Sequence, residues 1–281
     1  MARRPASRAF GFSLAHLTLL DQAPPELTEI AARAGYDYVS LRAIPLGLPN
    51  EITYALGKDR ALFRRTKAAL ASTGVRLLDI ELARIYSGVD VRSYLPAIEA
   101  AAELGGAHLL CSVWCDGRSF VLDRFIELCE LTRPFGITVD LEFVTFASIN
   151  TLSAAIDIVS ASRCDNAGIC IDTLHFDRSH CTPEQLASVP PEWFHYAQIC
   201  DGPANYATDE ASLKSIAREG RLYLGEGNID VPGILANMPS MPYSIELPNR
   251  DRQLRLGPEE FARQCLVTAR CALYPPDPPE N

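Results

Sequence analysis

The sequence predicts a single (β/α)8 barrel. Three observations carry the prediction. Eight short apolar, β-prone runs recur along the chain, most of them followed by a stretch of helical periodicity. Gly35, Gly74, Gly105 and Gly136 punctuate the returns from helix to strand, where a left-handed cap is needed. The length, 281 residues, matches the roughly 250 that such a barrel needs. Strands separated by helices pair in parallel through right-handed crossovers. A doubly wound sheet is the alternative. It usually has fewer strands, and no Gly-x-Gly-x-x-Gly follows the first strand.

The strand-like runs are Phe10–Leu17, Tyr36–Ala43, Val75–Ala83, Ala107–Val113, Thr138–Val144, Gly168–His175, Phe194–Cys200 and Tyr243–Leu247. Helical patterns cover Pro25–Ala34, Arg60–Ser72, Val91–Leu104, Val121–Arg133 and Thr151–Ala161. Residues 44–59 and 201–230 form longer excursions after the second and seventh strands. In a barrel, such loops lie over the active mouth. The expected organisation is an N-terminal extension over 1–9, a barrel domain over 10–273 and a proline-rich tail over 274–281.

Composition narrows the function classes. The net charge is −9 with no basic stripe, which argues against a nucleic-acid partner and an anionic membrane surface. The start of the chain is basic but no apolar run follows it, so neither a secretory signal nor a membrane span is expected. Nine scattered cysteines without a Cys-x-x-Cys pair read as reduced, mostly buried thiols, and a cytoplasmic location follows.

The chemistry is concentrated at strand ends. Glu142, Asp172, Gln198 and Glu246 lie at matching ends of strands five, six, seven and eight. A closed barrel brings them to one mouth. Each offers an oxygen, and three are charged, so the set suits one divalent ion: Mn²⁺, Mg²⁺ or Co²⁺. Without a cation, the crowded carboxylates would repel one another.

Alternation along the strands sorts the other candidates. Asp140 shares Glu142's face one layer lower. Tyr196 shares the face of Gln198, so His195 is expected against the helices. His108 starts strand four at the bottom, where residues serve stability. His16 and His175 stand at the mouth end, placed to touch a substrate hydroxyl or move a proton. Arg42, Arg84 and Arg250 follow strand ends and could select an anionic substrate such as a keto acid, or pair with Glu81, Asp201 or Glu226. Trp114 could wall a sugar or cyclohexene ring, or pack in the core. Glu226 anchors its loop.

Leu141-Glu142-Phe143, Ile171-Asp172-Thr173-Leu174-His175-Phe176, Tyr196-Ala197-Gln198-Ile199-Cys200-Asp201, Arg221-Leu-Tyr-Leu-Gly225-Glu226-Gly227 and Ile245-Glu246-Leu247-Pro248 together resemble the xylose isomerase-like TIM-barrel superfamily over about residues 10–270. The resemblance implies that Glu142, Asp172, Gln198 and Glu246 hold one divalent ion. It implies that Glu142 and Glu246 double as acid/base groups, and that His175 and Arg221 approach the substrate. It also raises the possibility of a homo-oligomer. Glutamine at 198, where sugar epimerases carry histidine, is similar to the dehydroshikimate dehydratases. The histidine cluster of the endonuclease branch is absent.

The implied reaction is proton abstraction α to a carbonyl, giving a metal-stabilised enediolate on a hydroxy-ketone sugar or cyclitol. Return of the proton gives epimerisation or isomerisation. Loss of a β-hydroxyl gives a dehydratase of the dehydroshikimate or inosose type. A binding protein that keeps the barrel as a scaffold is the third possibility.

Overall fold

The computed structural model describes residues 11–47 and 51–275. The expected extension over 1–9 and most of the 274–281 tail lie outside the described residues. Eight parallel strands close into a barrel in chain order. They are β1 (Phe12–Leu14), β2 (Tyr38–Arg42), β3 (Arg76–Ile85), β4 (His108–Val113), β5 (Thr138–Glu142), β6 (Ala167–Asp172), β7 (Ala197–Ile199) and β8 (Tyr243–Ile245). β8 pairs back onto β1 through Phe12 opposite Tyr243 and Leu14 opposite Ile245, so no edge remains.

Local chemistry explains the surrounding helices. Asp59 caps the helix Arg60–Thr73 by accepting the N–H groups of Ala61 and Leu62. Thr151 caps Leu152–Ser162 in the same manner. Gly35 and Gly74 adopt the left-handed conformation that ends their helices. The expected helix Val91–Leu104 begins instead as a 3-10 turn over Val91–Tyr94, and α-geometry runs from Leu95 to Glu103. Pro96, at the start of that α-helix, needs no backbone donor there. Among the described residues, no helix is long and apolar enough to cross a membrane.

Most of the core lies between the strands and the helical ring. Leu41, Ile80, Leu109, Ile169 and Ile199 are fully buried there. The barrel interior is smaller and mixed. Leu78, Leu110, Cys170 and Tyr196 form its apolar layer. Beside them the Ser40 hydroxyl contacts Ser13 at 3.0 Å and Ser244 at 3.1 Å, and donates to Asp79. Burial pushes the Asp79 carboxyl well above its ordinary range. This filled interior separates the two ends of the barrel.

Candidate active site

The C-terminal ends of the strands surround a cavity of about 300 Å³. Glu142, Glu246, Arg221, His175, Arg42 and Glu81 supply its polar wall. Trp114, Phe146, Val144 and Leu46 supply the apolar wall. Asp172 and Gln198 are 1% and 2% exposed, so they are covered by these groups.

Arg221 organises the centre. Its Nη1 donates to Asp172 Oδ2 at 2.6 Å, and its Nη2 meets Glu246 Oε2 at 2.8 Å. Its Nε donates to the Ala217 carbonyl at 2.9 Å, which fixes the fork from behind. The loop after β7 delivers this arginine, and the loop is itself held by Asp201. That carboxylate accepts the N–H groups of Gly225, Gly227 and Ile229 at 2.9–3.1 Å. Glu226 accepts the Tyr223 N–H at 3.1 Å and pairs with Arg252 at 2.7 Å, tying the same loop to the helix Arg250–Leu256.

Gln198 Nε2 donates to Glu246 Oε1 at 2.9 Å, so Glu246 is held from two sides. Asp172 caps the short helix Thr173–Arg178 by accepting the N–H groups of Leu174 and His175. Glu142, Asp172 and His175 bring one ligand atom each within 4.8 Å of one another. The Thr145 hydroxyl lies 3.0 Å from His175 Nδ1 and orients the ring.

The charges do not balance. Glu142, Asp172 and Glu246 face one guanidinium, so full ionisation would set three negative charges against one positive. Burial pushes Glu142 well above the carboxylate range, and the charges of Glu246 and Asp172 push it further. Burial likewise raises Glu246 to about 8, against the pull of Arg221. Burial also opposes the charge on Asp172, but Arg221 and His175 outweigh it and hold that carboxyl below its ordinary value. Burial lowers His175 to about 4, so its imidazole is neutral. Two excess negative charges among oxygen donors fit a divalent cation better than a structural thiolate-type site.

The arginines and His16 divide. Arg42 lines the cavity and pairs with Glu81 at 3.3 Å. Arg84 does not line it. Its guanidinium sits over the Trp114 ring at 4.9 Å and lines a neighbouring cavity of about 270 Å³. Arg250 is exposed at the start of its helix and belongs to neither wall, so its expected place at the mouth is corrected. A helix N-terminus after Asn249 turns this side chain outward.

His16 is corrected too. It is fully buried, and both ring nitrogens are used, 2.8 Å from the Gln22 carbonyl and 2.9 Å from the Arg42 N–H. It braces β2 beneath Arg42 rather than facing the cavity. Burial lowers it to about 4.

His195 lies at the other end of the barrel, as a residue remote from the mouth should, but not against the helices. It occupies a bend before β7, where alternation does not apply, and reaches Asp140 at 2.6 Å. Glu81 was visible only as a partner for an arginine. Its signal is weaker than that of the other candidates, a carboxylate inside the third strand that comes level with the end of β2. It is 1% exposed, and its Oε1 has no hydrogen-bond partner among the described residues.

Residues 28–265 match the family described as xylose isomerase-like TIM barrel. The inosose isomerase of Bacillus velezensis is 23% identical over 269 residues, covering 87% of this chain and 90% of that protein. The 3-dehydroshikimate dehydratase of Pseudomonas aeruginosa is 26% identical over 244 residues, covering 82% of this chain but 36% of that longer protein. Among solved structures, the IOLI protein with a binding zinc atom superposes with a TM-score of 0.79 at 19% identity, covering 94% of this chain and 98% of that one. The match across 28–265, together with the closed barrel, shows that this chain belongs to the xylose isomerase-like TIM-barrel family.

Proposed function

We propose that the chain is a divalent-metal-dependent isomerase or epimerase acting on a hydroxy-ketone sugar or cyclitol. One observation carries the reading. Three buried carboxylates, Glu142 on β5, Asp172 on β6 and Glu246 after β8, gather beside a cavity of sugar size with one guanidinium that pairs with Asp172 and Glu246. Similarity to an inosose isomerase supports the substrate class. The zinc in a structural neighbour supports a bound divalent metal.

Glu142, Asp172, Gln198 and Glu246 would hold the ion. When bound, it supplies a positive charge that acidifies a C–H beside a chelated carbonyl. The chain's own groups do the rest. Glu142 has no hydrogen bond among the described residues, so with its own proton displaced by the ion its carboxylate is free to remove that proton. Glu246, oriented by Arg221 and Gln198, stands on a different strand and can return a proton from another side. The guanidinium of Arg221 faces any negative charge that develops between them. Neutral His175, set by Thr145, meets a hydroxyl, and Trp114 and Phe146 shield the ring from water.

The reading is tested with chelator-treated protein given Mn²⁺, Mg²⁺ or Co²⁺ and a panel of ketoses and inososes. Proton NMR in D₂O should show ion-dependent exchange of the hydrogen α to the carbonyl. Substrate deuterated at that carbon should react more slowly, which covers internal return of the proton. Turnover that is insensitive to both chelation and Glu142→Gln would overturn the mechanism.

The second reading is a dehydratase of the dehydroshikimate or inosose type. Gln198 and the similarity to the Pseudomonas aeruginosa enzyme favour it, and Arg42 offers the cavity a cation for a substrate carboxylate. Water loss from dehydroshikimate produces an aromatic product, so a rise in ultraviolet absorbance separates the two.

A further inference from the structure

The opposite end of the barrel holds a second set of ligating side chains that the mouth chemistry does not use. His108 opens β4, Asp140 lies one layer below Glu142 on β5, and His195 sits in the bend before β7. His195 Nδ1 lies 2.6 Å from Asp140 Oδ1, and His108 Nδ1 lies 3.7 Å from Asp140 Oδ2. The two imidazole rings stack with centroids 5.5 Å apart. One ligand atom from each of the three residues falls within 4.8 Å of the others.

The contact is built across an intervening strand. His195 passes over β6 at Gly168, where a Cβ would stand 2.6 Å from both Asp140 Oδ1 and His195 Nδ1. Any other residue would force the pair apart. The Thr138 hydroxyl lies 2.7 Å from His108 Nδ1 and donates to Asp140 Oδ2 at 2.7 Å, so it holds both side chains in place until an ion takes over Nδ1. Asp140 is fully buried, while His108 lines an open cavity of about 620 Å³, which gives an entry path.

We propose that His108, Asp140 and His195 form a second divalent-cation site, selective for zinc, at the floor of the barrel. Two imidazoles and one carboxylate suit Zn²⁺ or Co²⁺, whereas the oxygen-rich mouth suits Mg²⁺ or Mn²⁺. Tetrahedral bonds of 2.0–2.1 Å put neighbouring ligand atoms about 3.4 Å apart. The observed 2.6 and 3.7 Å bracket that spacing, and the third pair of ligand atoms lies within 4.8 Å, so small side-chain rotations would close the site. The fourth position faces the cavity and takes water. The ion would tie β4, β5 and the entry to β7 together across β6, a staple for the barrel rather than a catalyst.

The test is calorimetric titration of Zn²⁺ into the chelator-treated full chain. Wild type should bind two equivalents, Glu142→Gln/Glu246→Gln one, and the same protein with His195→Asn added none, or one at least about tenfold weaker. His108→Asn serves as an independent lesion. The mouth and the floor therefore fail separately. If the mouth variants do not fold, Co²⁺ is added to wild type saturated with Mg²⁺. The floor should then give the strong visible absorption of tetrahedral cobalt, and His195→Asn should abolish it. A mouth-disabled protein that binds no Zn²⁺, a His195→Asn protein that keeps its equivalent at full affinity, or the absence of the cobalt band would each overturn the site.

Discussion

Arg221→Met should destabilise the metal-free protein severely, and a divalent cation should restore much of the loss. Arg221 is 2% exposed and bridges Asp172 and Glu246 at 2.6 and 2.8 Å. Its removal leaves three buried carboxylates with no cation. Breaking a buried pair from one side costs about 3–5 kcal/mol, because the abandoned charge stays desolvated. Exposure is too small for solvent screening to reduce this much. At about 2–4 °C per kcal/mol, the midpoint should fall by about 6–20 °C. The carboxylates can escape part of the cost by taking up protons. Without Arg221 their proton affinities rise, and a carboxyl raised in the fold contributes stability below its unfolded value and loses it as pH climbs. The deficit should therefore be smallest near pH 5 and full by pH 8. Thermal and urea melts of wild type and variant, with chelator and then with Mn²⁺, measure all three effects. A loss below about 1 kcal/mol in chelator at pH 8 would refute the charge accounting. A loss that Mn²⁺ leaves untouched would refute a cation at this place.

The metal-free wild type should also lose stability as pH rises from about 5 to 8. Glu142 is raised and Glu246 is raised to about 8, so their contribution is present below the unfolded carboxylate range and disappears through the folded values; a midpoint that climbs over this range in chelator contradicts the shifts. Glu81→Gln should lower kcat/KM by about 10–100-fold, the worth of a charged hydrogen bond to a substrate hydroxyl, and unchanged kinetics would remove Glu81 from the site. His16→Ala should cost about 1–3 kcal/mol by stranding the Gln22 carbonyl and the Arg42 N–H. Its melting temperature should therefore fall more than its turnover at low temperature, and the reverse pattern would return His16 to substrate contact.

The barrel was legible because parallel strands covered on both faces must be apolar throughout, and Leu109–Leu110 or Ile169–Cys170–Ile171 have no other use. The four ligand candidates stood out because each carboxylate or amide ends such a run. Glu81 stands inside β3 and reaches the mouth because it is level with Arg42 at the end of β2, a register that the sequence does not display. What the sequence withheld depends on loops. Arg221 follows an excursion of some twenty residues that includes the helix Glu210–Glu219, and the backbone beyond Arg221 is gathered by Asp201 at Gly225–Ile229. Arg250 and Arg42 look alike as arginines after strands. One starts a helix and points outward, while the other ends β2 and faces Glu81. His195 defeated alternation because β7 begins at Ala197, two residues later.

Charge accounting joins these pieces. Glu81, Glu142, Asp172 and Glu246 meet Arg42 and Arg221, four carboxylates against two guanidiniums. The two buried histidines nearby add nothing, since His16 and His175 are each lowered to about 4. The shortfall of two can be met by two protons or by one divalent ion. Protons would settle on Glu142 and Glu246, the two groups whose affinities are raised, and these are the groups proposed to exchange protons with substrate. An ion would release those protons and leave both carboxylates as bases. On the proposed reading, the imbalance expected to destabilise the metal-free cavity at neutral pH would also prepare it for proton transfer once a cation is bound.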